Sequence, residues 1–131
     1  MGIGYDDSGQ ATDGGGDIID GADGDIDIIL SNGGDDTIEG GAGADIMDGG
    51  ADVDTASYVN SDAAVNVDLL TGTGIGGHAE GDTLENFENL TGSAFDDTLT
   101  GGFRENVIDG GAGNDQIDGG AGSDTLVGGR Q

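Results

Sequence analysis

Cysteine, proline and tryptophan are absent from this chain, and only 2 of its 131 residues are lysine or arginine. Without cysteine there is no disulfide staple and no thiolate metal site. Without proline no turn has a locked φ, so rigidity must come from elsewhere. The two basic residues, Arg104 and Arg130, are far from the clustered cations that bind phosphate backbones or anionic lipid, which excludes nucleic acid and membrane surfaces as partners. No apolar run approaches the ~20 residues of a spanning helix, so no membrane insertion is expected. Met1 to Gln10 has no basic stretch followed by an apolar one, and no cleavable secretory signal is visible. Aromatics are 4%, too few for a conventional core. His78 is the one histidine, and no Ser or Asp has a positioned partner for nucleophilic or acid–base work. No catalytic residue is assigned, and the chain is not expected to be an enzyme.

What the chain has is acid and glycine. Its 28 Asp plus Glu give a formal net charge of −26. Two unit charges 4 Å apart repel by about 1 kcal/mol in bulk water and about 4 kcal/mol at an effective dielectric of 20, so crowding these carboxylates is costly. The 31 glycines add to the cost, because glycine loses the most backbone freedom on ordering. By charge and hydropathy the chain alone should be disordered. Its acids are nevertheless spaced and its apolar residues periodic, which points to a fold conditional on an added cation.

The period is a nine-residue unit, Gly-Gly-x-Gly-x-Asp-x-apolar-x, clearest at Gly40 to Asp48, Gly110 to Asp118 and Gly119 to Val127. With Asp in sixth place and the apolar residue in eighth, the first block (12–57) gives Asp17 with Ile19, Asp27 with Ile29, Asp36 with Ile38, Asp45 with Met47 and Asp54 with Ala56. A one-residue insertion lies near Gly21, and Asp52 replaces the fourth-place glycine of its unit. The second block (92–131) gives Asp97 with Leu99, Asn106 with Ile108, Asp115 with Ile117 and Asp124 with Leu126. It stops in mid-unit at Gly128 to Gln131 and is expected to be truncated at its C-terminus. Residues 58–91 break the period. There Val65, Val67 and Leu69 alternate with polar residues as in a half-buried strand, Gly72 to Gly77 reads as a turn-rich loop, and Asp82 with Leu84 as one degraded unit. All 131 residues are expected to form a single domain.

Short-period self-similarity marks a solenoid. The eighth-place residue faces inward on a three-residue strand, the seventh and ninth face solvent, and successive strands fall on two opposed sheets, so one coil spans two units. Glycines let turns take positive φ and bring carbonyl oxygens to a common centre. Carbonyl and carboxylate oxygens are hard ligands, and Ca²⁺ takes six to eight of them in tolerant geometry, whereas Zn²⁺ wants nitrogen and sulfur. Each ion is expected between the turns of units n and n+2. Asp17 then shares an ion with Asp36, Asp27 with Asp45, Asp36 with Asp54, Asp97 with Asp115, and the Asn106 turn with Asp124, giving about five Ca²⁺ sites.

These units resemble the calcium-binding nonapeptide repeats of RTX (repeats-in-toxin) proteins of haemolysin type. Asp54 to Tyr58, Val65 to Leu69 and Glu88 to Gly92 are also similar to a segment of serralysin-type repeat domains. The resemblance implies an all-β fold: a parallel β-roll, that is a right-handed β-solenoid, with calcium in its turns, here interrupted by a strand/loop insertion packed on its side. By position it implies carboxylate ligands from the sixth-place acids. It implies carbonyl ligands from second- and fourth-place residues such as Gly34, Gly41, Gly43, Gly111, Gly113, Gly120 and Gly122. Arg104 in fourth place and Asn106 in sixth depart from the pattern. The implied role is a calcium-responsive module that folds outside a bacterial cell and supports export by type I secretion machinery, with end-to-end self-association as a further expectation. Two other readings stay open: an accessory domain of a secreted protease or lipase, and an adhesion module that binds carbohydrate through outward threonines.

Overall fold

The structure is a computed structural model that describes residues 18–20, 28–31 and 33–128. Among the described residues, thirteen strands of three residues each follow one another: β1 Ile18–Asp20, β2 Ile28–Leu30, β3 Thr37–Glu39, β4 Ile46–Asp48, β5 Thr55–Ser57, β6 Asn66–Asp68, β7 Thr73–Ile75, β8 Thr83–Glu85, β9 Asn89–Thr91, β10 Thr98–Thr100, β11 Val107–Asp109, β12 Gln116–Asp118 and β13 Thr125–Val127. The strands are short because each unit gives only its last three residues to a sheet and spends the other six on a turn. In β2, β3, β4, β6, β8, β9, β10 and β11 the middle side chain is buried between more exposed neighbours, as in β2, where Ile29 is buried between exposed Ile28 and Leu30, whereas Ile117 of β12 is half-buried and Leu126 of β13 exposed.

One sheet has six strands in the order β1-β3-β5-β9-β11-β13, and every pairing in it is parallel. Its register stacks the eighth-place residues in one column, with Ile38 beside Ala56, Ala56 beside Leu90, Leu90 beside Ile108 and Ile108 beside Leu126. The other sheet has seven strands in the order β12-β10-β6-β7-β8-β4-β2, with columns Ile29–Met47–Leu84 and Val67–Leu99–Ile117. Residues of both columns belong to a single buried cluster, so the sheets face each other across one core. A fully buried Leu or Ile in that core contributes roughly 1.5–3 kcal/mol. The all-β parallel architecture is that of a β-roll.

The interruption is woven in more tightly than a segment packed on the roll's side. Strands β6, β7 and β8 are members of the seven-stranded sheet itself, and β7 runs antiparallel to both neighbours. Residues 72–77, expected to be loop, therefore include a strand. Its middle residue is Gly74, paired with Val67, where a Cβ would stand 2.6 Å from the carbonyl oxygen of Ala79. Glycine gives no apolar signal, so this strand leaves little trace in the sequence. A 3-10 turn, Gly77–Ala79, follows it, and Tyr58, Val65 and Phe87 of the interruption are buried in the shared core. Phe95 and Phe103 are exposed at their turns. Among the described residues, no helix is long and apolar enough to cross a membrane.

Candidate metal centre

The turns repeat one backbone conformation. Second-place Gly41, Gly111 and Gly120 have φ of 80°, 75° and 75°, and fourth-place Gly34, Gly43, Gly113 and Gly122 have φ of 93°, 108°, 102° and 100°. All lie in the left-handed region that side chains disfavour. Asp52, in fourth place, is held at φ 74°. Consecutive turns on one edge lie close enough that the glycines are also needed for space. A Cβ on Gly111 would stand 2.6 Å from the carbonyl oxygen of Ser93, one on Gly113 2.6 Å from that of Phe95, one on Gly120 2.7 Å from that of Gly102, and one on Gly122 2.8 Å from that of Arg104. Second- and fourth-place carbonyl oxygens thus face the turn one coil later.

The sixth-place side chains form an internal ladder. The backbone N–H of Asp36 donates to Asp54 Oδ1 at 2.8 Å, that of Asp97 to Asp115 Oδ1 at 2.8 Å, and that of Asn106 to Asp124 Oδ1 at 2.9 Å. These three pairs are brought together as the period requires. Asp45 donates its N–H to Asp82 Oδ1 at 2.8 Å and Asp54 to Glu88 Oε2 at 3.0 Å, so the ladder continues through the interruption. The pairings of Asp17 with Asp36 and of Asp27 with Asp45 lie outside the described residues, as do Asp17 and Asp27 themselves. Asp36, Asp45, Asp54 and Asp97 are each at most 1% exposed, which is exceptional for carboxylates unless each charge is met.

The second carboxylate oxygen turns back into its own loop, over the first-place glycine. A Cβ on Gly40 would stand 2.5 Å from Asp45 Oδ2, one on Gly49 2.8 Å from Asp54 Oδ2, and one on Gly119 2.5 Å from Asp124 Oδ2. The buried Oδ2 atoms of Asp54 and Asp115 have no hydrogen-bond partner. Burial pushes the Asp54 carboxyl up to about 6, aided by the charges of Asp36, Glu88 and Asp35 and opposed by the Asp36 amide. Burial also raises Asp115, with the charges of Asp97 and Asp96 adding to the effect. Among the described residues, no three His, Cys, Asp or Glu side chains gather into a metal-binding group. A cation between turns must therefore draw most of its ligands from carbonyl oxygens. Buried acceptors without donors, hard oxygens and glycine-made space fit Ca²⁺.

A family model describing the RTX calcium-binding nonapeptide repeat matches residues 22–56, 87–103 and 100–131, more than half of the chain. The chain belongs to this RTX repeat family. RTX repeats bind calcium and imply a secreted bacterial protein, and the repeat is a structural rather than a catalytic unit. A comparison with curated proteins finds no match.

Two acids of the RTX ladder were missing from the site read in the sequence. Asp82 is 2% exposed and accepts the Tyr58 hydroxyl at 2.8 Å, and Glu88 is 6% exposed and ion-paired to Arg104 at 2.8 Å. Their signal is the same as elsewhere, an acid two places before a buried apolar residue, here Leu84 and Leu90. Asp82 with Leu84 reads as a degraded unit in the sequence, but the broken glycine pattern kept both acids out of the expected ligand set.

The raised carboxyls set a pH dependence. Asp54 and Asp82 each stand at about 6 in the metal-free fold, above the ordinary 3.8, so the folded chain holds protons that the unfolded chain has released. The metal-free fold should therefore gain stability as pH falls from 7 through 6 toward 4. An ion held by Asp54 would have to displace that proton, so calcium affinity is expected to be weaker at pH 5.5 than at pH 7.5. Calorimetric titrations at the two pH values check this, and equal affinities would refute it.

Proposed function

We propose that this chain is a calcium-responsive folding module of a secreted bacterial protein, without chemistry of its own. The observation that carries this reading is the pair of buried Asp54 and Asp115 Oδ2 atoms left without donors beside close-packed glycine turns. In each turn, sixth-place Asp36, Asp45, Asp54, Asp97, Asp115 and Asp124 supply carboxylate oxygens. Gly34, Gly41, Gly43, Gly111, Gly113, Gly120 and Gly122 supply carbonyls, and Asn106 a neutral oxygen. Asp17 and Asp27 extend the set in the first block, giving about five ions in one domain whose blocks 12–57 and 92–131 flank residues 58–91. When bound, calcium supplies the positive charge that lets these oxygens approach. The protein's part is to hold the oxygens at van der Waals distance from the next turn and to bury one apolar residue per unit.

Because the ligands are assembled only by winding, binding free energy is folding free energy. The chain stays extended where calcium is scarce and winds in extracellular calcium, which suits passage through type I secretion machinery. The exposed Leu126 of β13, at the end of the six-stranded sheet, supports stacking of a second roll end to end. The test is a calorimetric calcium titration followed in parallel by circular dichroism and light scattering. The expected result is several ions bound per chain with a matching gain of β signal, and little gain with Mg²⁺ at equal concentration. Full β signal in chelator, with no heat on adding calcium, would overturn the reading.

A further inference from the structure

The buried sixth-place residues do not share one chemistry. Asp54 and Asp115 keep a carboxylate oxygen without a donor. Asp82, Glu88 and Asp97, which lie between them in the chain, are met by donors that the chain itself supplies. Asp82 Oδ2 accepts the buried Tyr58 hydroxyl at 2.8 Å while its Oδ1 accepts the Asp45 amide at 2.8 Å. Glu88 Oε1 accepts Arg104 Nη1 at 2.8 Å and its Oε2 accepts the Asp54 amide at 3.0 Å. Asp97 Oδ1 accepts the Ser93 hydroxyl at 2.6 Å and the Val65 amide at 2.9 Å, and its Oδ2 accepts the Ser93 amide at 2.7 Å.

The neighbouring coils remove charge from the sixth place. Val65 stands where the period calls for an acid, two places before Val67. Asn106 is uncharged, donates its side-chain amide to the Glu88 carbonyl, and accepts from the Gly102 amide at 3.1 Å. The same stretch also holds the largest share of the core, with Tyr58, Val67, Leu84, Phe87, Leu90 and Leu99 all buried. A buried carboxylate is costly only while its lone pairs lack donors, and hydrogen bonds to a charged group are the stronger kind.

We propose that residues 58–106 form a metal-independent nucleus in which Tyr58, Ser93 and Arg104 stand in for an ion, and onto which the first repeat block and residues 107–131 of the second wind as calcium arrives. The departures from the repeat, Arg104 and Asn106 above all, are then the means by which the middle of the roll escapes the metal requirement. The proposal rests on the calcium reading for Asp36, Asp45, Asp54, Asp115 and Asp124, and takes Asp97 and Asn106 out of the calcium-held set because the chain itself supplies their partners.

Hydrogen exchange of the full chain, followed by mass spectrometry in chelator and then in millimolar calcium, tests it. In chelator the amides of β6, β7, β8 and β10, which pair with one another inside the nucleus, should exchange about tenfold or more slowly than in the denatured chain, while β3, β12 and β13 exchange freely until calcium is added. Protection of the middle that appears only with calcium, at the same midpoint as β3 and β13, would overturn the nucleus while sparing the calcium reading. Protection of every strand in chelator would overturn the calcium-driven winding. The double variant Tyr58→Phe with Arg104→Gln should lose the chelator-resistant protection yet keep that seen in calcium, and Arg104→Lys should keep both. Loss under both conditions in the double variant would mean that these side chains do not replace an ion.

Discussion

Stripping calcium from the saturated protein is expected to swell it. A compact chain of 131 residues has a radius of gyration of about 14 Å and a fully unfolded one about 37 Å. In chelator at neutral pH and low salt the radius should rise well above the first value and stop short of the second. The force is the −26 net charge, no longer countered once the ions leave. The limit is the segment between Tyr58 and Asn106, whose buried acids Asp82, Glu88 and Asp97 keep protein donors. Screening should shrink the expanded state, because exposed charges farther apart than about 8–10 Å cease to interact near 0.1–0.15 M salt. Small-angle scattering across a salt series reads both effects. A radius unmoved by chelator would remove calcium from any structural role here.

The second large effect is expected from a single methyl-bearing substitution, Gly113→Val. This residue has φ of 102°, and a Cβ there would lie 2.6 Å from the Phe95 carbonyl oxygen and 2.7 Å from its carbon. The left-handed conformation alone costs an L-residue roughly 1–2 kcal/mol, and a β-branched side chain against backbone cannot be relieved by a rotamer change. The turn must open, pulling the Phe95 carbonyl away from the position it holds beside the Asp115 loop. Calcium binding in the second block should weaken about tenfold or more, since each 1.4 kcal/mol is tenfold. Gly128→Val is the control, as a Cβ there meets nothing within 4 Å. Equal calcium midpoints for the two variants would show that the close-packed turns play no part in the sites.

The repeat made the regular part of this molecule legible. A carboxylate two places before a single apolar residue, recurring every nine, fixes which side chain enters the core and which faces the next turn, and Ile38, Met47, Leu99 and Ile108 are buried accordingly. The three described pairings Asp36–Asp54, Asp97–Asp115 and Asn106–Asp124 follow from the same arithmetic, because a coil is two units. Less legible was whatever depended on contacts distant in sequence. That Arg104 reaches Glu88, sixteen positions back, or that Tyr58 finds Asp82, follows from strand order, which no local period encodes. The antiparallel β7 was hidden for a different reason. Its central Gly74 has no side chain to alternate with its neighbours, and it is glycine because Ala79 packs against it.

The ladder through the sixth-place residues has a direction. In every described rung the amide comes from the earlier residue and the carboxylate oxygen from the later one, as from Asp36 to Asp54, Asp45 to Asp82 and Asn106 to Asp124. At these rungs, a roll divided between coils would present carboxylate acceptors on one cut face and amide donors on the other. Two identical faces cannot satisfy each other, so copies that join through these groups must do so head to tail. A head-to-tail contact with no rotation to close it is open-ended, and growth by this route would give linear fibres of indefinite length rather than a discrete pair.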